Sequence, residues 1–531
     1  MKHKFSSDVI VVGAGGAGLV AALNAHNQGA KVTILTKSYP TRSQTCMAQG
    51  GINAVLPHSK DDSIDAHIQN TLKSSHGLAS KDAVRLLCES APDAIEWLDS
   101  IGVQFSRTSE SKIAQRRLGG ASGDRACYAQ DYTGLKILHT LYDQVVASGI
   151  EILSDRYLLN IITNTQDDIK KTVSGVSTLN IRTGETEIYE APSVIIATGG
   201  YARVYDKHST NSVGSTGDGI AAAIHAGARL SDMEFVQFHP TALKNSSILI
   251  SESARGAGGH LLNSKGQRFV NELLPRDEVA RAINDEIQKG ENIYLDIRHL
   301  GEEFINEELP QERKLAKLYE GIDPVNEMMP IKPVAHYTMG GIEVDESSMT
   351  IVDGLFAAGE CANHRVHGAN RLGGNSLLEL VVFGREAGIN AAEYSKKDNH
   401  TKKDLDSSLE LDFYKENPEL DFYKIKEELG NIFYKNVGIS RDKQNLHDSL
   451  KIVKDYISNL PKMGVVDKSK IYNTNLIEFL EFKNMLELSR LVLEGAIDRQ
   501  ESRGAHYRKD YPNEDEKYAK HTIVDFNGVV S

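Results

Sequence analysis

The chain has 531 residues, of which 40% are hydrophobic and 25% are charged, and its formal net charge is −13 at pH 7. This length exceeds one ordinary hydrophobic core, so we expect about two to four domains. The composition is typical of a soluble globular protein. The negative charge excludes a molecule-wide electrostatic reason to bind nucleic acid, because neutralising phosphates requires a basic face. A local cationic pocket is still compatible with this composition.

The four cysteines are widely spaced, at Cys46, Cys88, Cys127 and Cys361, and no CxxC pair occurs. This spacing favours small buried side chains in a reducing compartment over a disulfide framework or a local metal site. The N-terminal residues lack the apolar run of a secretory signal, and no window approaches about twenty uninterrupted apolar residues. We therefore expect a cytoplasmic protein whose membrane link, if it has one, passes through a partner.

The first predicted elements form a dinucleotide-binding unit. Residues 8–12 predict a buried strand and residues 19–26 a helix, and between them Gly13, Gly15 and Gly18 have the spacing GxGxxG. The first glycine makes the tight turn, the second lets the backbone approach a pyrophosphate, and the third lets the helix pack on the strand. Because the motif lies between a strand and a helix, we predict a pyrophosphate at this helix N-terminus.

Later segments continue this domain. Residues 60–105 predict helices with a buried apolar stripe. Residues 157–189 alternate apolar and polar side chains, which predicts an antiparallel meander inserted in the nucleotide domain. Residues 194–200 predict another buried strand that enters a glycine turn, and a helix follows at residues 220–226.

Two glycine-rich corners lie within residues 334–379. One is Met339-Gly340-Gly341 and the other runs from Leu372 to Asn375; His336 precedes the first corner and Arg371 the second. Glycine lets backbone amides approach a ligand closely. Two such corners, each beside a side chain that can hold a carboxylate, predict a site where a large planar cofactor meets a small acid.

The segments from His336 to Gly341 and from His367 to Leu378 resemble the signatures of the flavoprotein subunits of succinate dehydrogenase and fumarate reductase. The resemblance extends from about Ser7 to Pro512. L-aspartate oxidase belongs to the same superfamily and shares much of this pattern.

The resemblance implies an α/β fold. Its parts are a Rossmann-like FAD-binding domain of the two-dinucleotide-fold type, an inserted α+β capping domain and a C-terminal helical domain. We place the FAD-binding domain at residues 1–232 and 336–395, the capping domain at 233–335 and the helical domain at 396–531. The charged run at residues 396–404 predicts a solvated linker.

The resemblance also implies FAD as the cofactor and a set of residues that contact it. In this set, Asp218 can also cap the helix that follows it, Glu360 would meet cofactor hydroxyls, and the helix that begins at Asn375 would direct its N-terminal amides at the flavin. The implied contacts are Gly13, Gly15, Gly16, Ala17, Gly18, Thr36, Lys37, Ser43, Gln44, Thr45, Gly50, Gly51, Ala197, Thr198, Gly199, Asp218, Glu360, Arg371, Asn375, Ser376 and Leu377. Thr36 and Lys37 stand where many dinucleotide sites have an acidic residue for the ribose.

Gln44 occupies the position at which respiratory members of the family carry a histidine joined covalently to the flavin 8α carbon. An amide nitrogen is not nucleophilic enough to form that bond, so we expect noncovalent FAD. Without the tether we expect a lower flavin potential, which favours fumarate reduction over succinate oxidation. Aspartate oxidases also lack the tether.

Four residues match family positions that hold the two carboxylates of the substrate, namely His239, Ser251, His336 and Arg371. Arg276 matches the proton donor to the substrate carbon that does not receive the flavin hydride. Glu252 and Arg255, three residues apart, would return the proton to Arg276. Ala257 departs from the family, which usually has a glutamate there. Ser251 replaces the usual threonine and keeps its hydroxyl.

Leu118 distinguishes between the two closest activities. Aspartate oxidases carry at this position a glutamate that pairs with the substrate ammonium. A leucine side chain has no charged or accepting group with which to bind a cation. The sequence therefore favours a flavoprotein subunit that interconverts fumarate and succinate over L-aspartate oxidase. A noncatalytic flavin-binding assembly protein is disfavoured, because it would not need the carboxylate-holding residues. The resemblance implies an iron–sulfur partner and, through it, a membrane anchor or other electron carrier on the cytoplasmic face of the inner membrane.

Overall fold

The computed structural model of the chain describes residues 4–59, 61–166, 170–397 and 413–530. Most of the predicted linker, residues 398–404, lies outside these ranges. No helix among the described residues is long and apolar enough to cross a membrane. The four cysteines are free; Cys46 is half-buried and the other three are buried.

A five-stranded parallel sheet forms the centre of the nucleotide domain. Four of its strands are buried along their whole length, as expected of a sheet covered on both faces, and the edge strand Glu151–Ser154 is partly exposed. In spatial order they are Leu355–Ala357, Ser193–Ile196, Val9–Val12, Val32–Thr36 and Glu151–Ser154. The helices of this part of the chain are Gly16–Asn27, Ile64–Ser74, Lys81–Glu89, Ala91–Ser100, Thr133–Ala147, Asp218–Ala226 and Asn375–Ser395.

The helices predicted within residues 60–105 and the predicted meander are confirmed. Ala83, Leu87, Ile95 and Leu98 are buried on the predicted stripe. The meander is antiparallel, and the strand Lys4–Ser6 adds to its edge in parallel. Its strands are Lys4–Ser6, Glu185–Glu190, Lys170–Asn180 and Arg156–Gln166.

We call residues 233–335 the cap. A four-stranded antiparallel sheet, with strands Val236–Leu243, Met329–Thr338, Ile293–Asp296 and His260–Leu262, lies almost entirely within it. Its helices are Glu252–Gly256, Arg276–Gln288, Glu302–Glu308 and Pro310–Glu320. The strand Met329–Thr338 crosses the predicted limit at residues 335/336, so the domain limits stay predictions.

The C-terminal part contributes helices and a tail that returns to the nucleotide domain. The helices are Phe422–Asn436, Lys443–Ser458 and Thr474–Asp498. The tail joins a five-stranded sheet in the order Ala362–Asn363, Gly341–Glu343, Leu230–Ser231, Ile523–Asp525 and Gly528–Val529. A small sheet at Ile52–Asn53, Ala126–Cys127 and Gln115–Arg116 lies near the cap.

Buried ion pairs of Arg499 connect the C-terminal tail to the rest of the molecule. Arg499 Nε donates to Glu234 Oε1 over 2.7 Å, and Arg499 Nη1 donates to Glu501 Oε1 over 2.9 Å. The guanidinium also donates to the backbone carbonyls of Tyr518 and Lys520. Both charged partners of Arg499 are fully buried, and Glu501 also pairs with Arg503, so removing Arg499 leaves the buried carboxylate of Glu234 without its cation.

We expect Arg499→Met to lower the free energy of unfolding by about 3–5 kcal/mol, the usual effect of breaking a buried pair. Chemical denaturation followed by fluorescence measures the change. Arg182→Met is the matched control, because Arg182 pairs with Asp155 on the surface, and its removal should leave the denaturation midpoint in place. Equal midpoints for the two variants would contradict a stabilising role for Arg499.

Candidate active site

The predicted pyrophosphate turn has the required geometry. The helix Gly16–Asn27 follows the strand Val9–Val12 through Gly13, whose φ is +110°. A Cβ atom on Gly13 would lie 2.2 Å from the carbonyl oxygen of Ala197, and one on Gly18 would lie 2.0 Å from the carbonyl oxygen of Gly13. The space at Gly15 is open, with no atom nearer than 3.7 Å. The first and third glycines thus permit packing, and the second leaves room for a ligand.

One cleft brings together most of the residues predicted to contact the cofactor and the substrate. At its cofactor end it is lined by Gly13, Gly15, Gly16, Ala17, Thr36, Lys37, Ser43, Gln44, Thr45, Gly50, Gly51, Ala197, Thr198, Gly199, Asp218, Glu360, Ser376 and Leu377. At its substrate end it is lined by Leu118, His239, Ser251, Glu252, Arg276, His336 and Arg371. Gly18, Arg255 and Asn375 are not among the lining residues.

The cofactor end has polar groups that a dinucleotide could satisfy. Ser43 Oγ and Thr198 Oγ1 are buried without a hydrogen-bond partner in the described chain. Glu360 Oε1 accepts from the amide of Thr338 over 3.0 Å, and burial raises the pKa of Glu360 to about 7. Together with the open glycine turn, these groups fit the hydroxyl-rich chain and pyrophosphate of FAD.

The carboxylate of Asp218 is held by protein groups. Lys37 Nζ donates to Asp218 Oδ2 over 2.5 Å and to Glu481 Oε1 over 2.7 Å. Asp218 Oδ1 accepts from Tyr157 and Asn484. Asp218 begins the helix Asp218–Ala226, after Gly217 at φ +78°. Its flavin contact stays a prediction, and its observed bonds connect the nucleotide domain to the helix Thr474–Asp498.

Two histidines from neighbouring strands of the cap sheet meet at the substrate end. Their ring centroids are 4.9 Å apart. The register passes from Gln237 opposite Tyr337 to Phe238 opposite Ala335, which makes His336 the extra residue of a β-bulge. Burial and the charge of Arg276 lower the pKa values of His239 and His336 well below the usual range. Both imidazoles are therefore neutral at pH 7 and available as hydrogen-bond donors.

Arg276 and Glu252 form a buried ion pair. Arg276 Nη2 lies 2.6 Å from Glu252 Oε2, and Arg255 Nη2 lies 3.6 Å from Glu252 Oε1. The amide of Gly119 also donates to Glu252 Oε1 over 2.8 Å. Burial alone would raise the pKa of Glu252, but the two guanidinium groups more than offset it and the pKa is lowered. Glu252 is therefore a carboxylate that joins the two arginines.

Arg371 approaches the same place from the other side of the cleft. Its guanidinium carbon is 4.2 Å from the ring centroid of Tyr337, whose hydroxyl donates to Glu379. Burial and the charge of Arg276 lower the pKa of Arg371 to about 10. Arg371 Nε is buried without a partner in the described chain. The residue thus keeps donor capacity for a ligand.

Gln237 is a site residue that the sequence analysis missed. Its Oε1 accepts from Arg276 Nη1 over 3.1 Å and from Arg371 Nη2 over 3.2 Å, so one oxygen sets the spacing of two guanidinium groups. Its position could have indicated this role. Gln237 lies two residues before His239 on one strand, and side chains two residues apart on a strand point to the same face.

Ser251 caps the helix Glu252–Gly256 and lies beside these residues. Its Oγ accepts from the amide of Ser253 over 3.1 Å, which leaves the hydroxyl proton for a ligand. No group of three or more His, Cys, Asp or Glu side chains in the described ranges is arranged to hold a metal ion.

Comparisons with known proteins identify the cofactor class. A sequence model described as an FAD binding domain matches residues 8–377, and one described as fumarate reductase flavoprotein C-term matches residues 426–529. The chain is thus an FAD-dependent flavoprotein of the oxidoreductase class, and FAD is its cofactor.

Relatives then identify the family. The succinate dehydrogenase flavoprotein subunit of Rickettsia conorii is 38% identical, over 98% of this chain and 93% of the relative. The 8-methylmenaquinol:fumarate reductase flavoprotein subunit of Wolinella succinogenes is 39% identical, over 98% and 89%. A chain of E. coli quinol fumarate reductase superimposes with a TM-score of 0.92 at 35% identity, over 99% of this chain and 96% of that one. The chain belongs to the family of succinate dehydrogenase and fumarate reductase flavoprotein subunits, which confirms the family and the fold class inferred from the sequence.

We expect Gly18→Ala to abolish FAD binding, because its Cβ would force the helix Gly16–Asn27 away from the strand and displace the amides that are predicted to face the pyrophosphate. The ratio of flavin to protein absorbance in the purified variant measures this. Gly29→Ala is the control: its φ of +85° imposes backbone strain, but no atom lies within 4 Å of the added Cβ. Full FAD content in Gly18→Ala would contradict the assignment of this turn.

Proposed function

We propose that the chain interconverts fumarate and succinate as the flavoprotein subunit of a succinate dehydrogenase or fumarate reductase. The observation that carries this proposal is the charge of the substrate end. Arg276 and Arg371 line this end of the cleft. Arg255 lies behind them, and within the described chain Glu252 forms ion pairs with Arg276 and Arg255 but not with Arg371. A pocket with this excess of positive charge fits a small dianion.

The chain's own residues hold the substrate. Arg371 offers a planar guanidinium that suits a carboxylate, and His336, His239 and Ser251 offer neutral donors around it. Gln237 fixes the spacing between Arg371 and Arg276. These groups would bind the two carboxylates of a four-carbon diacid and align its central carbons with the cofactor end of the cleft.

Bound FAD supplies the two-electron chemistry of this reaction by accepting or donating a hydride. Arg276 then gives a proton from a guanidinium nitrogen to the substrate carbon during fumarate reduction, and takes one during succinate oxidation. Arginine is a weak acid in water, so this role depends on fixed geometry. Glu252, which contacts both Arg276 and Arg255, provides the path by which the proton is restored.

L-aspartate oxidase is a weaker alternative. Leu118 lines the cleft and offers no acceptor to a substrate ammonium. The carboxylate of Glu252 is already bonded to Arg276 and the amide of Gly119. The relatives reported above are named for succinate or fumarate, which favours the dicarboxylate reaction. A noncatalytic assembly protein would have no use for the proton path.

The direct test is a steady-state assay of the purified flavoprotein with fumarate and reduced viologen, set against L-aspartate and oxygen. We expect turnover with fumarate.

Arg276→Lys keeps the charge but should lower kcat by about 10²–10⁴-fold, the usual contribution of a general acid. Perturbation of the flavin spectrum by a dicarboxylate should survive in this variant, because Arg371 and the histidines remain.

Arg281→Lys is the matched control for this assay. Arg281 lies on the same helix as Arg276 and bonds to Asp277 and to the carbonyl oxygen of Gly504 instead of facing the cleft. Its turnover should equal that of the unchanged protein. Turnover with L-aspartate alone would refute the proposed substrate, and near-normal fumarate turnover in Arg276→Lys would refute the proposed proton donor.

FAD attachment is the second part of the proposal. Gln44 lines the cleft, and its Oε1 accepts from the amide of Ser212 over 2.7 Å, so the carboxamide has a structural partner. A carboxamide nitrogen is not a nucleophile that could form a bond to the flavin ring. We therefore propose that FAD is held without a covalent bond.

Acid precipitation should leave a colourless protein pellet and release the yellow flavin into the supernatant. The intact mass of the denatured chain should equal the mass calculated from its sequence. A yellow pellet, or a mass increased by one flavin nucleotide, would contradict noncovalent binding.

We also propose an iron–sulfur subunit as the electron partner. The relatives are named as subunits, and those from Wolinella and E. coli are named for reactions with quinols. The described part of this chain has no helix that could cross a membrane. Partner subunits would then carry electrons between the FAD cleft and a membrane anchor, with which the chain would associate peripherally.

A further inference from the structure

Two fully buried acidic side chains lie at the boundary between the cap and the nucleotide domain. Asp131 precedes the helix Thr133–Ala147, and Glu312 lies in the first turn of the cap helix Pro310–Glu320. Both side chains are 0% exposed. Asp131 Oδ2 accepts from the amides of Gln311 over 2.7 Å and of Glu312 over 3.1 Å. A carboxylate of one domain therefore caps a helix of the other.

Glu312 also supports a residue at the substrate end. Its Oε1 accepts from the amide of Ser251 over 2.9 Å. The hydroxyl of Ser251 faces the cleft and is proposed to bind a substrate carboxylate. Glu312 thus lies directly behind Ser251, on the side away from the substrate.

The remaining oxygen of each carboxyl group lacks a donor. Asp131 Oδ1 and Glu312 Oε2 are buried and have no hydrogen-bond partner in the described chain. Arg116 is the nearby cation, but it donates to the carbonyl oxygens of Gly50, Gln49 and Gln130. The other titratable groups that face this cluster are Tyr128, Tyr132 and Glu308.

Two adjacent buried carboxylates without a bonded cation cannot both remain ionised at low cost. Burial and the charge of Asp131 raise the pKa of Glu312 well above its usual range. Burial raises the pKa of Asp131 to about 6. Asp131 keeps two amide donors at a helix N-terminus, so the proton of the pair belongs mainly to Glu312.

We propose that Glu312 is a positioning residue for Ser251 and carries a proton while the dicarboxylate is bound. The proposal rests on the proposed function. A proton on Glu312 Oε2 removes one negative charge from this buried pair and leaves Oε1 free to accept from the amide of Ser251. Loss of that proton leaves two anions that repel each other across the domain boundary. It also adds a negative charge behind the residue that binds the substrate dianion.

The sign of the pH dependence follows from this arrangement. At low pH the pair holds its proton, the cap stays joined to the nucleotide domain, and Ser251 is in place. As the pH rises through the titration of the pair, the second negative charge forms and the KM for fumarate increases. Chemistry at Arg276 is affected less, because neither carboxyl group contacts it, so the change is in KM more than in kcat.

The test is the pH profile of kcat and KM for fumarate from about pH 6 to about pH 9. In the unchanged enzyme, KM should rise on the order of ten-fold across this range. A ten-fold change corresponds to a shift of about one pKa unit in the titrating group. In Glu312→Gln the carboxamide oxygen can still accept from the amide of Ser251 but the group does not titrate, so the rise should disappear. In Glu312→Met, which keeps the volume but not the acceptor, KM should be about ten-fold higher at every pH.

Glu303→Gln is the control, because Glu303 is exposed on the neighbouring cap helix. Its profile should match that of the unchanged enzyme. A Glu312→Gln profile that still rises like the unchanged enzyme, or a high KM throughout as in Glu312→Met, would overturn the proposal.

An infrared measurement separates this proposal from the proposed function. The difference spectrum between the unchanged protein and Glu312→Gln at neutral pH should show the carbonyl stretch of one protonated carboxylic acid; Glu360, whose pKa is also raised, cancels because both proteins contain it. This readout needs no turnover, so it remains decisive for the proton on Glu312 if fumarate is not the substrate. A difference spectrum without this band would refute protonated Glu312.

Discussion

Three guanidinium groups lie close together, and among the described residues Glu252 forms ion pairs with two of them; this imbalance of charge constrains the rest of the site. Arg276 and Arg255 contact Glu252, whereas Arg371 donates to the neutral oxygens of Leu372 and Gln237 and lies over the ring of Tyr337. Burying a cation without an anionic partner is costly. A bound dicarboxylate would supply the missing negative charge. The same interaction would therefore bind the substrate and stabilise the buried arginines.

The fold supplies these arginines from separate parts of the chain. Arg276 opens the cap helix Arg276–Gln288, and Arg371 precedes the helix Asn375–Ser395 of the nucleotide domain. Gln237, on the cap strand between them, accepts from both. The cap therefore takes part in the substrate end, because the spacing of the two guanidinium groups exists only when both domains are in place.

Local pattern and motif predicted much of this arrangement. The glycines at 13, 15 and 18 specify their turn through contacts within a few residues, and the meander is readable from its alternation. The family resemblance implied the arginines, histidines and Ser251, and the structure brings all of these side chains except Arg255 to one cleft. Their individual roles stay predictions.

Contacts between distant parts of the chain could not be predicted in this way. The bulge that turns His336 toward His239 depends on the register of two strands about a hundred residues apart in sequence. Lys37 is bonded to Asp218 and to Glu481, which is 444 residues away. Glu312 reads as an ordinary exposed helix glutamate until the cap is folded against Asp131. Such pairs are set by tertiary packing, for which a single sequence carries no local signal.

The most direct measurement is a crystal structure of the FAD-bound protein with fumarate or a nonreactive dicarboxylate. The account predicts one carboxylate bonded to Arg371, the other near His239 and Ser251, and a central carbon facing a guanidinium nitrogen of Arg276, with the flavin ring on the opposite side. A diacid bound elsewhere, with these guanidinium groups in contact only with protein, would contradict it.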